Sequence, residues 1–260
     1  MSIRVAAFFD LDGTLLPQPS LERRFFQTLR YGCEIPLTSY FFWWLEVLRL
    51  LPRGISHVVH ANKMYLRGVH GLVESGHCSR LRTSEGEGLP STPPRHNPRW
   101  FVPPFFEDGV ERVAWHAMQG HAIVIVSGTL EPLAIVAARA LEIELAARGV
   151  AAGIRVCATK LEEENGRWTG RILSEAVFGK AKSRAILKLA REMSLDLSRS
   201  WAYGDSSLDR WMLASVGNAA AVNPTLKFAR IARKRGWPVL RTTNRVRQMR
   251  ETRPHVERCA

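Results

Sequence analysis

Near the start of the chain an apolar run, Val5 to Phe9, ends in two acids, Asp10 and Asp12, with Leu11 between them and Gly13 following. A run this apolar reads as a strand buried on both faces. Such a strand does not normally end in unpaired carboxylates, because removing them from water requires a cation or a hydrogen-bonding partner. Residues at i and i+2 of a strand point to the same side, so both acids are expected together at the strand's carboxyl end, where open α/β sheets bind their ligands. Gly13 permits a sharp exit from the strand. A divalent cation would balance the pair.

Three further apolar runs, Ala122 to Val126, Ser200 to Tyr203 and Ala219 to Val222, recur with helical patterns between them. That alternation predicts an α/β, Rossmann-like core with a parallel sheet covered by helices. Helices are expected over Leu130 to Arg148, with Pro132 in the first turn and Gly149 as the stop, and over Lys182 to Met193. Between Ile154 and Leu173 two strands around Asn165-Gly166, the favoured type I′ pair, predict a hairpin attached to the sheet. The 260 residues, 46% hydrophobic and 23% charged, suffice for one large domain with an insertion and exclude a largely disordered or fibrous chain. No apolar run reaches the roughly 18 residues of a membrane span; Leu37 to Leu51 is interrupted by Glu46 and Arg49. The run up to Phe9 is too short for a secretory signal, so a cytoplasmic protein is expected. Four scattered cysteines (Cys33, Cys78, Cys157, Cys259) suggest neither a zinc site nor a disulfide framework.

Residues 17–105 read as a separate block. Its aromatic first part, including Phe25, Phe26, Tyr40, Phe41, Phe42, Trp43, Trp44, Leu48 and Leu51, is expected to form the core of a helical insertion above the sheet. The polar face lacks the Lys and Arg excess of a membrane-surface helix. Residues 71–104 lose all periodicity and carry six prolines. Such a stretch is a lid, a linker, an unstructured connection or the product of a local frame error. The net charge of +13 is uneven: from Leu226 onward the balance is +9. The basic tail, 242–260, reads as a solvated end capable of weak contact with an anionic surface, with no obligate nucleic-acid partner.

Three more segments carry chemistry. Val124 to Val126 runs into Ser127, Gly128 and Thr129 before the helix start; the Ser127 hydroxyl and the free amides of that turn would hold an anion, although a lone serine there also serves as a plain cap. Gly204 to Asp209 places Asp205 at a strand end and Asp209 four residues on, facing the same crevice. Hard oxygen ligands of this kind suit Mg²⁺. Lys182 has apolar residues at +3, +4 and +7, whereas Lys180 has Ser183 and Arg184 at +3 and +4, so Lys182 is the lysine expected to turn inward.

In this order the four elements resemble the haloacid dehalogenase-like superfamily, specifically its phosphoserine-phosphatase-like subfamily IB. Asp10 to Thr14 looks like the first motif, Ser127 the second, Lys182 the third and Gly204 to Asp209 the fourth; Trp168 to Arg171, Ala221 to Pro224 and Gly236 to Val239 also look like this subfamily. The resemblance covers residues 4–16 and about 105–241. It implies a Mg²⁺-dependent phosphatase acting on a small phosphomonoester. Asp10 would be the nucleophile that forms an aspartyl phosphate, and Asp12 the proton donor and acceptor. The Asp10 carboxylate, the Asp12 carbonyl and Asp205 would hold the metal, with Asp209 as ligand or support. Ser127, Gly128 and nearby amides, with Lys182, would neutralise the phosphoryl oxygens, and Thr14 would help shape these loops. Residues 1–16 and 106–241 would form the catalytic core and 17–105 a helical cap. The chain departs from the pattern at one place: the glutamate that in similar phosphoserine phosphatases lies nine residues after the nucleophile is Pro19 here, with Glu22 three further on. Arg67 is a candidate for binding a substrate carboxylate, and His57 and His60 are assigned to surface or core. The alternatives are a phosphotransferase using the same intermediate and a phospholipid or lysophospholipid phosphatase localised by its basic tail. A non-catalytic binding module would have no physical use for four intact acids.

Overall fold

The structure, a computed structural model, describes residues 4–71 and 102–242. The irregular stretch expected over 71–104 and the basic tail therefore lie almost wholly outside the described residues. In chain order the strands are β1 (Ala6–Phe9), β2 (Ala122–Leu130), β3 (Ile154–Thr159), β4 (Leu161–Glu164), β5 (Arg167–Ile172), β6 (Trp201–Gly204), β7 (Asn218–Val222) and β8 (Val239–Leu240). Six of them form one parallel sheet in the order β3-β2-β1-β6-β7-β8.

The two faces of β1 explain its fully apolar sequence. Phe8, aligned with Val124 on β2 and Ala202 on β6, packs under α6 (Lys180–Met193), α7 (Arg210–Leu213) and α8 (Leu226–Lys234) through Ile186, Met212 and Phe228. Ala7 and Phe9 face α4 (Glu107–Met118) and α5 (Glu131–Ala147) through Val110, Val113, Leu133 and Leu141. Phe9 stacks on Tyr203 at 4.8 Å, and the Tyr203 hydroxyl lies 2.9 Å from Nε2 of the buried His116, whose Nδ1 is 2.8 Å from that of His121.

Two expectations change. β2 runs through the turn expected over 127–129 to Leu130, the predicted helix start, with its register to β3 shifting between Val126 and Leu130; α5 begins at Glu131. Three strands rather than two lie between 154 and 173. β3 joins the main sheet, and β4 and β5 form a separate antiparallel pair. Only Lys160 separates β3 from β4, so the sequence carries no break at which to divide them. The predicted turn is present, with Asn165 and Gly166 both at positive φ (52° and 75°).

After β1 the chain enters α1 (Leu21–Tyr31), α2 (Leu37–Leu50) and α3 (Ile55–Ala61). Ser20 caps α1 by accepting from the Arg23 amide. Leu21, Phe25 and Leu29, one face at i, i+4 and i+8, are buried. Phe25 meets Trp168 edge-on at 6.0 Å. The β5 strand also grips the end of this segment. The Gly68 amide donates to Trp168 O (2.8 Å) and the Trp168 amide to Val69 O (2.9 Å), and at Gly170 any Cβ would lie 2.9 Å from Met64 Cα. The predicted aromatic interior is otherwise not found. Among the described residues α2 buries only Ser39 and Leu50, while Phe41 is 63% and Trp44 60% exposed, with Tyr40, Leu48 and Leu51 exposed as well. A helix apolar on every side needs cover on every side, and α2 receives it on one. None of the described helices is long and apolar enough to cross a membrane.

Candidate active site

The carboxyl ends of β1 and β6 are neighbours in the sheet, and this adjacency brings the acids together. Asp10 follows Phe9 directly, its amide donating to Tyr203 O at 2.9 Å. Asp205 follows β6, and Asp209 comes back from the turn that precedes α7. One carboxylate oxygen from each of Asp10, Asp205 and Asp209 lies within 4.8 Å of the others. Lys182, buried in the first turn of α6, donates to Asp10 Oδ1 (2.5 Å) and to Asp209 Oδ1 (2.6 Å). Lys180 is exposed, with its ammonium 5.1 Å from the Trp211 ring centroid. The inward lysine is the predicted one.

Two glycines make this crowding possible. Gly13 has φ +89°, and a Cβ there would lie 2.2 Å from Asp205 Oδ2. At Gly204 a Cβ would lie 2.5 Å from that of Asp209. Any side chain at either place would displace a carboxylate.

Three clustered carboxylates against one ammonium leave an excess of negative charge. Burial, opposed in part by Lys182 and reinforced by Asp209, pushes Asp10 up to about 7. Burial, then the charges of Asp10 and Asp209, pushes Asp205 up to about 8. Lys182 is held charged well above its ordinary value, because attraction to Asp10 and Asp209 overcomes its burial. A divalent cation would discharge that excess, and an all-oxygen donor set fits Mg²⁺. Asp209 already has both oxygens engaged, Oδ1 by Lys182 and Oδ2 by the amide (2.9 Å) and hydroxyl (2.7 Å) of Ser206. Asp10 has only Oδ1 bonded to Lys182, and its other oxygen has no hydrogen-bond donor among the described residues. Asp10 and Asp205 are therefore the stronger candidates for holding a cation, with Asp209 bracing the lysine.

Asp12 is turned away from this cluster. Its Oδ1 accepts from the Leu21 amide (2.7 Å), the first residue of α1, and its Oδ2 from the Thr129 hydroxyl (2.7 Å). Burial raises its pKa, against those two hydrogen bonds. Ser127 is buried, and its Oγ accepts the Thr129 amide at 3.2 Å; in the lengthened β2 it closes a local turn rather than capping α5. At Gly128 a Cβ would touch Val177 O at 3.5 Å and Phe178 Cβ at 3.9 Å. Sequence reasoning missed Thr129. Residues 127 and 129 share one side of a strand, but with a turn expected over 127–129 the alternation was invisible. Ser206 was missed too, since a serine between two acids gives no sign of which one it serves.

The helical segment adds a polar wall. Glu22 accepts from Lys63 Nζ (2.5 Å) and from the Tyr65 hydroxyl. Burial and the Lys63 charge lower the pKa of His60, whose ring stacks on Phe178 at 5.0 Å with His57 edge-on at 5.3 Å. Arg67 lies outside, its guanidinium 4.1 Å over the Phe42 ring.

Residues 7–214 match the family model of the haloacid dehalogenase-like hydrolases. Among similar proteins is a probable phosphatase of Mycobacterium tuberculosis, 28% identical over 241 residues that span 91% of this chain and 75% of the other. A phosphoserine phosphatase of the same species is 28% identical over 245 residues, or 92% and 71% of the two chains. A solved structure of a Bordetella pertussis protein of unknown function superposes with a TM-score of 0.63 at 25% identity, covering 92% of this chain and 99% of that one. With four-fifths of its length inside the family model, the chain belongs to the haloacid dehalogenase-like hydrolases.

Proposed function

We propose that the chain is a Mg²⁺-dependent phosphatase that hydrolyses a small phosphomonoester through an aspartyl phosphate on Asp10. The observation that carries this reading is the buried Lys182 bridging Asp10 and Asp209, with Asp205 alongside. A lysine so placed holds one oxygen of Asp10 still and leaves the other to attack phosphorus. The names of the mycobacterial relatives point the same way.

In the first step the free Asp10 oxygen forms a bond to phosphorus as the bond to the leaving oxygen breaks, and Asp12 gives its proton to the departing alkoxide. In the second, water attacks the aspartyl phosphate, returns its proton to Asp12 and releases phosphate, which restores both acids. Burial favours the protonated Asp12 that the first step needs. The Thr129 hydroxyl donates to the ionised carboxylate and can accept from the protonated one, so it serves both forms. Lys182, Ser127 and the amides around Gly128 fit the role of neutralising the phosphoryl oxygens. Asp205, the Asp12 carbonyl and the Lys182-bonded oxygen of Asp10, which keeps a further lone pair, would hold Mg²⁺, which supplies positive charge at the transferring phosphoryl group. Residues 1–16 and 106–241 would act as the catalytic core, with 17–105 as a cap over the substrate.

Glu22 is already matched by Lys63 and Tyr65. It therefore offers little to a substrate ammonium, which speaks against phosphoserine. Phosphate release should be measured from a panel of sugar, amino-acid, lipid and aryl phosphomonoesters, with Mg²⁺ and with chelator. Chelator-sensitive turnover that disappears in Asp10→Asn, by at least about a thousandfold, is the expected result. An Asp10→Asn protein that still turns over would refute the nucleophile.

A further inference from the structure

Beside the carboxylates the helical segment and the start of α6 face each other across a cleft of about 930 Å³. Its lining includes Ala181 and Leu208, the chain neighbours of Lys182 and Asp209, so the cleft lies beside the proposed reaction centre. Arg53 and His57 of the helical segment line it together with Arg171 of β5 and Lys180 of α6.

The charges in this cleft do not cancel. Two lining arginines have carboxylate partners, Arg49 with Glu46 at 3.5 Å and Arg184 with Glu175. Arg53 and Arg171 form no ion pair among the described residues and both line this one concave space, while the Lys180 ammonium lies over the Trp211 ring. The other large cavity, about 520 Å³ between α4 and the β6–β8 side of the sheet, differs in this respect: it sets Asp108 and Glu111 against Arg112 and Arg241. A concave surface with a surplus of one sign of charge focuses its field on a counter-ion. Arginine in particular recognises phosphate and carboxylate through paired N–H donors. The volume also exceeds what a small alcohol fills, being in the range of pockets that hold drug-sized ligands.

We propose that this cleft, with Arg53 and Arg171 in its lining, is a second anion subsite. It selects phosphomonoesters whose leaving group carries another phosphate or carboxylate at its far end. The proposal rests on the phosphatase reading above and gives its substrate class: polyanionic rather than simple monoanionic esters.

The test uses the full chain and a series of α,ω-alkanediol bisphosphates of increasing length, each paired with its monophosphate. The readout is the ratio of kcat/KM for bisphosphate over monophosphate at low ionic strength. The ratio is expected to rise to about tenfold or more at one chain length and to collapse towards the statistical value for two ester ends in Arg53→Gln/Arg171→Gln. It should persist in Arg30→Gln/Arg230→Gln, which removes the same charge from exposed sites elsewhere. A flat ratio at every length in the unmodified protein overturns the subsite, as does a preference that survives Arg53→Gln/Arg171→Gln. If nothing is turned over, the phosphatase reading fails by itself and the subsite is judged by calorimetry. Hexanediol bisphosphate binding more tightly than hexyl phosphate, and losing that advantage in Arg53→Gln/Arg171→Gln, supports it; equal binding of the two overturns it.

Discussion

Phe8 and Trp44 stand in stretches of similar apolarity, Ala6–Phe9 and Tyr40–Leu45, yet Phe8 is inaccessible and Trp44 is 60% exposed. The difference lies in their neighbours. β1 is the third of six strands and has helices on both faces, whereas α2 meets the rest of the described molecule along one side only. Apolar sequence creates a demand for burial; the topology decides whether it is met. The same contrast holds for charge, since Lys182 is buried against two carboxylates while Arg53 and Arg171 of the neighbouring cleft form no ion pair among the described residues.

Stability measurements can break or sharpen this comparison. Phe8→Ala should cost about 3–5 kcal/mol, as for other large-to-small changes in a closed core, read as a fall in the denaturant midpoint at unchanged slope. Lys182→Met should cost about 3 kcal/mol, because it leaves buried carboxylates without their cation. Added Mg²⁺ should restore part of the lost Tm, and a variant as stable as the parent without Mg²⁺ would mean that the charges are not truly desolvated. His116 gives a smaller, pH-dependent effect. Burial and the neighbouring His121 and Arg112 hold it down at about 3, against an ordinary 6.5. The unfolded chain therefore takes up a proton that the folded one refuses, and stability is lost as pH falls through 6.5 towards 3. By pH 4 the loss is about 3 kcal/mol. His116→Gln should flatten that slope in a series of thermal melts, and an unchanged slope would remove His116 from the account. The least effect is expected at Trp44→Ser, within about 0.5 kcal/mol. A cost near that of Phe8→Ala would show that α2 is covered in solution and would erase the contrast between the two regions.

The sheet and most of the site were legible because their signals are local and physically costly to fake. An apolar strand ending in acids at 10 and 12, and a lysine on the apolar stripe of α6, each state an energetic problem that few arrangements solve. The pairing of Asp205 with Gly13 was not legible, because it depends on β1 and β6 being neighbours, a fact of topology rather than of spacing. β8 escaped notice because two residues carry no periodicity. The cover of α2 was misread because a helical stripe reports that a residue could be buried and says nothing about what arrives to bury it.

The hydrogen bond from the Leu21 amide to Asp12 has a mechanical side. Asp12 belongs to the loop after β1, while Leu21 opens the helical segment, so the proposed proton shuttle is aimed by a backbone group of the element that would cover the substrate. Lifting α1 would break that bond, free the carboxylate to rotate and admit water to it. The proposed proton donor and the proposed cover would thus form an interlock: with the segment seated the acid is oriented and desolvated, and raising it would remove both properties together.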